Sequence, residues 1–143
     1  ISVLSVIVLI LIALSTLVAV NRARFYYLLR RIRKENPNDA VLTAYEYILR
    51  LFKVQNVTIS AGETPSQFGA RVEKLMDFKG YTFNKSDFNK ITEYYVKARY
   101  SRNLLPEKVN QELIDFIDTV LRLTSEKVSK VKFNLYKYLL GKL

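Results

Sequence analysis

Residues 1–20 read ISVLSVIVLILIALSTLVAV, with no charge, no proline and no glycine. At about 1.5 Å per helical residue the run is about 30 Å long, the hydrocarbon thickness of a bilayer. Only Ser2, Ser5, Ser15 and Thr16 are polar, and a hydroxyl can satisfy itself on a carbonyl one turn back. A buried core helix is one competing reading, but in a domain this small such a helix needs a polar face, and the run has none. A signal peptide is the other. Its positive charge precedes a shorter apolar run, and a small-residue cleavage site follows. Here the charge follows. We therefore expect a transmembrane helix at 1–20, seated in the lipid bilayer of the cell membrane.

The charge that follows is Arg22, Arg24, Arg30, Arg31, Arg33 and Lys34, against the single acid Glu35. Basic residues beside a span stay on the cytoplasmic side, so the C-terminus is expected in the cytoplasm and Ile1 outside. Phe25, Tyr26 and Tyr27 lie among the arginines. Aromatic rings favour the headgroup layer and arginine stems can snorkel toward it, so all nine residues are expected at the membrane interface. The same stretch also reads as a plain continuation of the helix to about Lys34, with Phe25, Leu28, Leu29 and Ile32 on one apolar face. The two readings are compatible. With no initiator Met, Ile1 is expected to continue from a longer membrane protein.

The net charge of +10 is unevenly spread. Residues 36–124 hold twelve basic and eleven acidic side chains, so the expected cytoplasmic domain is nearly neutral and the excess sits in two flanks. A nucleic-acid binder would carry its charge on the folded body, so no nucleic-acid partner is expected. The chain has no Cys and no His. Thiol nucleophiles, disulfides, imidazole bases and zinc-type ligand sets are therefore excluded. No catalytic residue, metal site or cofactor is expected, and the chain is read as not itself an enzyme.

Four amphipathic helices are expected over 36–124, giving an all-α fold: one N-terminal transmembrane helix, then a small bundle of about four helices. Asn36-Pro37 ends the first helix, and Pro37 suits the first turn of the next, at about 38–54. Thr64 is a good N-cap, Pro65 fits the first helical position, and Gln67 completes a capping box. A further helix is expected over about 86–101, and Pro106 is expected to open the last. Val109, Leu113, Phe116, Ile117 and Val120 form its inner stripe, and Glu112, Asp115 and Asp118 its solvated outer face. Val57-Thr58-Ile59 is a short extended candidate. Residues 125–143 continue as a basic amphipathic helix in which Lys127, Lys130, Lys132 and Lys137 surround an apolar stripe. Such a helix suits anionic lipid headgroups, and packing on the juxtamembrane helix is the alternative.

Two motifs carry a family resemblance. Gly62-Glu63-Thr64-Pro65, followed by Phe68 and Arg71, is similar to a G-x-T-P-x-E-F-A pattern. Tyr95-Val96-Lys97-Ala98-Arg99-Tyr100 is similar to a Y-x-x-A-R-Y pattern. Following a span and an arginine-rich junction, they resemble the C-terminal cytoplasmic domain of transglutaminase-like membrane proteins, a domain of unknown function that also occurs without the transglutaminase. Gln67 and Gly69 stand where the pattern has an acid and an alanine. The resemblance implies a Cys-His-Asp core on the far side of the membrane, upstream of this chain.

Each motif also has a plain reading. Thr64 and Pro65 start a helix, and Glu63 argues against an anion site there. Arg99 has three readings: a pair with a carboxylate such as Glu63 or Glu46, an ordinary surface arginine, or a ligand-binding group. The resulting expectation is a non-catalytic, membrane-anchored domain for contacts with an unidentified protein partner or for regulation. The alternatives are a free-standing membrane-anchored adaptor and the anchoring tail of a membrane-bound protein-modifying enzyme.

Overall fold

The computed structural model describes residues 1–78, 85–127 and 132. Among these residues every regular element is a helix: α1 (Val3–Lys34), α2 (Pro37–Val54), α3 (Pro65–Phe78), α4 (Lys85–Tyr100) and α5 (Lys108–Lys127). Helix α1 is one unbroken rod of 32 residues. Ser2 caps it, and Ser15 and Thr16 donate to the carbonyls of Leu11 and Ile12 at 2.8 and 2.9 Å. It contains neither glycine nor proline, two common causes of a kink. It is long and apolar enough to cross a membrane, and none of its most apolar stretch is buried by protein.

At its lower end Glu35 is extended and α2 begins at Pro37. Asn36 caps α2 by accepting from the Asp39 N–H at 3.1 Å. The two-residue connection folds α2 back antiparallel along α1, and the Phe25 and Tyr47 rings meet at 5.9 Å. Helix α2 is the centre of the bundle, packing on α1, α4 and α5. It is antiparallel to α4, since Tyr45 meets Tyr95 and Phe52 meets Phe88. It is parallel to α5. Asn38 near its start accepts from Leu105 N at 2.9 Å, and Gln55 at its end donates to Thr124 Oγ1 at 3.0 Å.

The core joins Ile32 of α1 to Val41, Ala44, Ile48, Leu51 and Phe52 of α2, Phe68 and Val72 of α3, Phe88 of α4, and the α5 stripe Val109, Leu113, Ile117 and Val120. That α5 stripe is the one its spacing predicts. The lower half of α1 is therefore a fifth member of the bundle, not a separate juxtamembrane segment. Its buried and half-buried positions are Val18, Asn21, Phe25, Leu28, Leu29 and Ile32.

Helix boundaries depart from expectation by one or two residues. Pro106 does not open α5: its carbonyl accepts from Val109 N at 3.1 Å in a tight turn, and the helix starts at Lys108. Val57-Thr58-Ile59 lies in the non-helical α2–α3 connection and pairs with no strand among the described residues. The expected basic helix at 125–143 lies outside the described residues after Lys127, except for Lys132, which is helical and exposed.

Candidate functional site

The first motif is a loop that closes on itself. Gly62 has φ of +75°, a left-handed conformation that glycine adopts without strain. This turn brings Glu63 back so that its carboxylate accepts from Ser60 N at 2.9 Å. Thr64 and Gln67 exchange reciprocal bonds, Gln67 N to Thr64 Oγ1 at 3.2 Å and Thr64 N to Gln67 Oε1 at 3.0 Å. This is the capping box read from the sequence, so glutamine performs the acid's part.

Arg71, two turns into α3, grips Glu63 with both oxygens engaged, Nε to Oε2 at 2.9 Å and Nη2 to Oε1 at 2.8 Å. It also donates to the Thr58 carbonyl and lies 5.2 Å over the Phe68 ring. A forked guanidinium–carboxylate pair is the strong, orienting kind. The Arg71 hydrogen bonds, then the Ser60 N–H, hold the Glu63 carboxyl down at about 2, against the opposing effect of burial. The half-buried Glu63 is thus fully committed within its own loop.

The second motif faces α2. Tyr95 stacks on Tyr45 with ring centroids 3.9 Å apart and planes 15° from parallel. Tyr45 is buried, and its hydroxyl has no hydrogen-bond partner among the described residues. Burial, then Tyr95 and Glu63, push that hydroxyl up to about 12. Both motifs therefore reach the same α2 side chain, Glu63 through its field and Tyr95 through its ring.

Arg99 is exposed, beside Tyr95 and Tyr100, and 6.0 Å from the Tyr100 ring centroid. Among the described residues no ion pair joins Arg99 to Glu63 or Glu46; Glu63 is paired with Arg71. Tyr100 is 73% exposed. The sequence offered a signal for Arg71: it lies eight residues after Glu63, on the second turn of a helix whose N-terminus Glu63 abuts.

Gly69 is explained by packing. A β-carbon there lies 3.2 Å from Thr92 Oγ1 and 3.6 Å from Phe88 Cε1. The absence of that atom lets α3 approach α4 closely.

The acidic stripe of α5 is split. Asp115 and Asp118 are exposed, as expected. Glu112 instead bridges to α4, accepting from Tyr94 Oη at 2.6 Å and Lys90 Nζ at 3.2 Å. Burial works against its charge, but Tyr94 and Lys90 outweigh it and the carboxyl is lowered. Beside it runs a shallow groove of about 190 Å³ lined by Lys90, Ile91, Glu112, Asp115, Phe116 and Thr119. Its acids are either committed to neighbours or in solvent, and no group of three or more metal-ligating side chains exists among the described residues.

Of the expected interface residues, Arg22, Arg24, Tyr26, Tyr27, Arg30, Arg31, Arg33 and Lys34 are exposed. Phe25 turns instead into the bundle against Tyr47. Arg31 is paired with Glu35. Distance along the axis separates the rest: Arg22 and Arg24 lie two and four residues beyond Val20, about 3 and 6 Å, and Arg30 ten residues beyond, about 15 Å.

Comparison with known proteins finds no matching family model, no matching curated protein and no matching solved structure. The functional reading therefore rests on the residues themselves.

Proposed function

We propose that this chain is a membrane-anchored, non-catalytic helical domain, held in the cytoplasm by α1 and serving protein contacts or regulation, as the C-terminal part of a transglutaminase-like membrane protein. One observation carries the anchoring. A single continuous helix is packed along one face by protein from Asn21 down and, apart from half-buried Val18, is bare above it. The bare part presents Val3, Leu4, Val6, Ile7, Leu9, Ile10, Leu11, Ile12, Leu14, Leu17 and Val20 at 42–77% exposure. At about 1.5–3 kcal/mol for fully burying each such side chain, leaving them in water forfeits an amount comparable to the whole stability of a typical domain, about 5–15 kcal/mol. A bilayer removes that cost.

The lack of Cys and His supports a non-catalytic role. The motif residues support it too, because Glu63, Arg71 and Tyr95 are spent on loop closure and packing. Contact with a protein partner is supported at the end of the bundle away from the apolar rod, where Tyr100 and Leu104 are 73% and 83% exposed. The orientation rests on the basic residues after Val20.

Reporters fused to the C-terminus of the full chain test the reading. A reporter active only in the cytoplasm should work, and one active only outside should be silent. The reverse pattern, or recovery of the chain in the soluble fraction, overturns the proposal.

A further inference from the structure

We infer that the folded-back end of α2 is a lipid-contacting surface, in which Arg50 and Lys53 join Arg22 and Arg24 to bind anionic lipid headgroups. The inference rests on the membrane-span reading of α1.

The geometry follows from counting along two antiparallel helices. Phe25 and Tyr47 are level, their rings 5.9 Å apart. Arg50 lies three residues further along α2 and is level with Arg22. Lys53 is six residues further, about 9 Å, while Val20 is only five residues up α1 from Phe25, about 7.5 Å. Lys53 therefore reaches the plane where the apolar run ends. Burial on α1 agrees: the bundle covers Asn21 and half-covers Val18, so protein extends to that boundary and slightly past it. Gln55 and Thr124 bond at the same end, which brings the close of α5 to this level too.

Arg22, Arg24, Arg50 and Lys53 are all exposed, and none has a carboxylate partner among the described residues. Glu46, one turn below Arg50, is exposed and makes no ion pair with it among the described residues. Four cations thus lie within about 10 Å of the end of the apolar run, measured along the helix axes, although Arg22 and Lys53 are thirty-one positions apart in sequence. At this depth the available counter-charge is the phosphate and carboxylate of lipid headgroups. Attraction there survives because the separation is within a Debye length. The fold supplies what the arginine-rich junction alone lacks, since Arg30 and the basic residues after it lie too deep in the cytoplasm to contribute.

The test uses the full chain in nanodiscs, where the absence of native cysteine makes single-thiol labelling clean. Fluorophores are placed by Leu9→Cys, Lys53→Cys and Lys108→Cys, with quenchers on lipid headgroups or deep in the acyl chains. Leu9→Cys should be quenched by the acyl quencher, Lys53→Cys by the headgroup quencher, and Lys108→Cys, at the far end of the bundle, by neither. In parallel, the motionally restricted fraction of spin-labelled anionic and neutral lipid is compared between the native chain and an Arg50→Glu, Lys53→Glu variant. The anionic preference should fall roughly two- to fivefold. Quenching at Leu9→Cys with none at Lys53→Cys overturns this inference and leaves the span reading standing. No quenching at Leu9→Cys removes both. Unchanged lipid preference in the double variant overturns the anionic-lipid assignment.

Discussion

The two sides of α2 are held by different means. Toward α1 and α5 neutral amides join the Phe25–Tyr47 ring contact and the bond from Thr43 to the Glu35 carboxylate. Asn110 Nδ2 donates to the carbonyls of Ile32 and Glu35, both at 2.8 Å, closing the open end of α1. Asn38 holds the α4–α5 connection through Leu105 N and the Asn103 carbonyl, and Gln55 meets Thr124. Toward α3 and α4 the ties are rings and one ion pair. Phe88 is the hub, with Phe52 and Phe68 edge-on at 5.1 and 6.2 Å and Phe116 stacked at 5.9 Å. Glu63 and Arg71 fasten the loop beside it. Amide ties fix axial register without titrating, whereas the ring side gains mostly from buried area and its one ionic fastening depends on pH. The amide contribution to the register of the bundle on α1 does not titrate, whereas the Glu63–Arg71 fastening of the α2–α3 loop does.

The largest expected effect breaks the ring side. Phe88→Ala should destabilise the bundle by about 3–5 kcal/mol, because it removes a hub that four other rings enclose. Urea unfolding in detergent, followed by circular dichroism, measures it. A loss under about 1 kcal/mol would deny the ring cluster its place as the main source of stability on that side.

Next is the amide side. Asn110→Ala removes the donor from one buried and one part-buried carbonyl and should cost about 1–3 kcal/mol. That cost should be the same at pH 4 and pH 7, since no titrating group is involved. A cost that varies with pH would end the contrast drawn above.

Glu63→Gln is expected to lower the melting temperature by a smaller, pH-dependent amount. The folded carboxyl is depressed to about 2 from an ordinary 4.5. A depressed acid contributes its full stability above the unfolded value, and loses it as pH falls toward the folded one. The gap between native and variant melting temperatures should therefore be constant near neutrality and narrow from about pH 4.5 down to about 2. A gap that does not change across this window would mean the pair contributes no ionic stabilisation.

The smallest effect is expected at Arg99. Arg99→Ala should move stability by no more than about 0.5 kcal/mol, the usual range for an exposed side chain. A larger loss would restore the carboxylate-locking role that the geometry assigns to Arg71.

What was legible in the sequence follows the same division. The apolar rod, the α5 stripe, the Thr64–Gln67 capping box and the Asn36-Pro37 break are local patterns, set by residues within a few positions of one another, and each is present as read. The amide ties were not legible. Asn110 and Ile32 are seventy-eight residues apart, and a lone asparagine among polar residues carries no local mark of its partner. The Arg99 pairing failed for a related reason. Arg71 lies on the helix that Glu63 directly precedes and reaches it with little chain to order, whereas Arg99 is exposed beside Tyr100. The membership of residues 21–34 in the bundle was half legible: Phe25, Leu28, Leu29 and Ile32 showed an apolar face, but nothing local distinguished a face meant for protein from one meant for lipid.

The unbroken backbone of α1 has a mechanical consequence. The rod is about 48 Å long, with the bundle fastened along its last 21 Å or so and no joint between the two parts. Orientation is therefore shared. Rolling the upper part about its axis rolls the bundle by the same angle, and leaning it swings the bundle as a lever. In the membrane-spanning arrangement proposed above, a lean of about 20° would displace the far end by roughly 7 Å, so bilayer thickness would set the position of Tyr100 and Leu104 on the other side of the molecule.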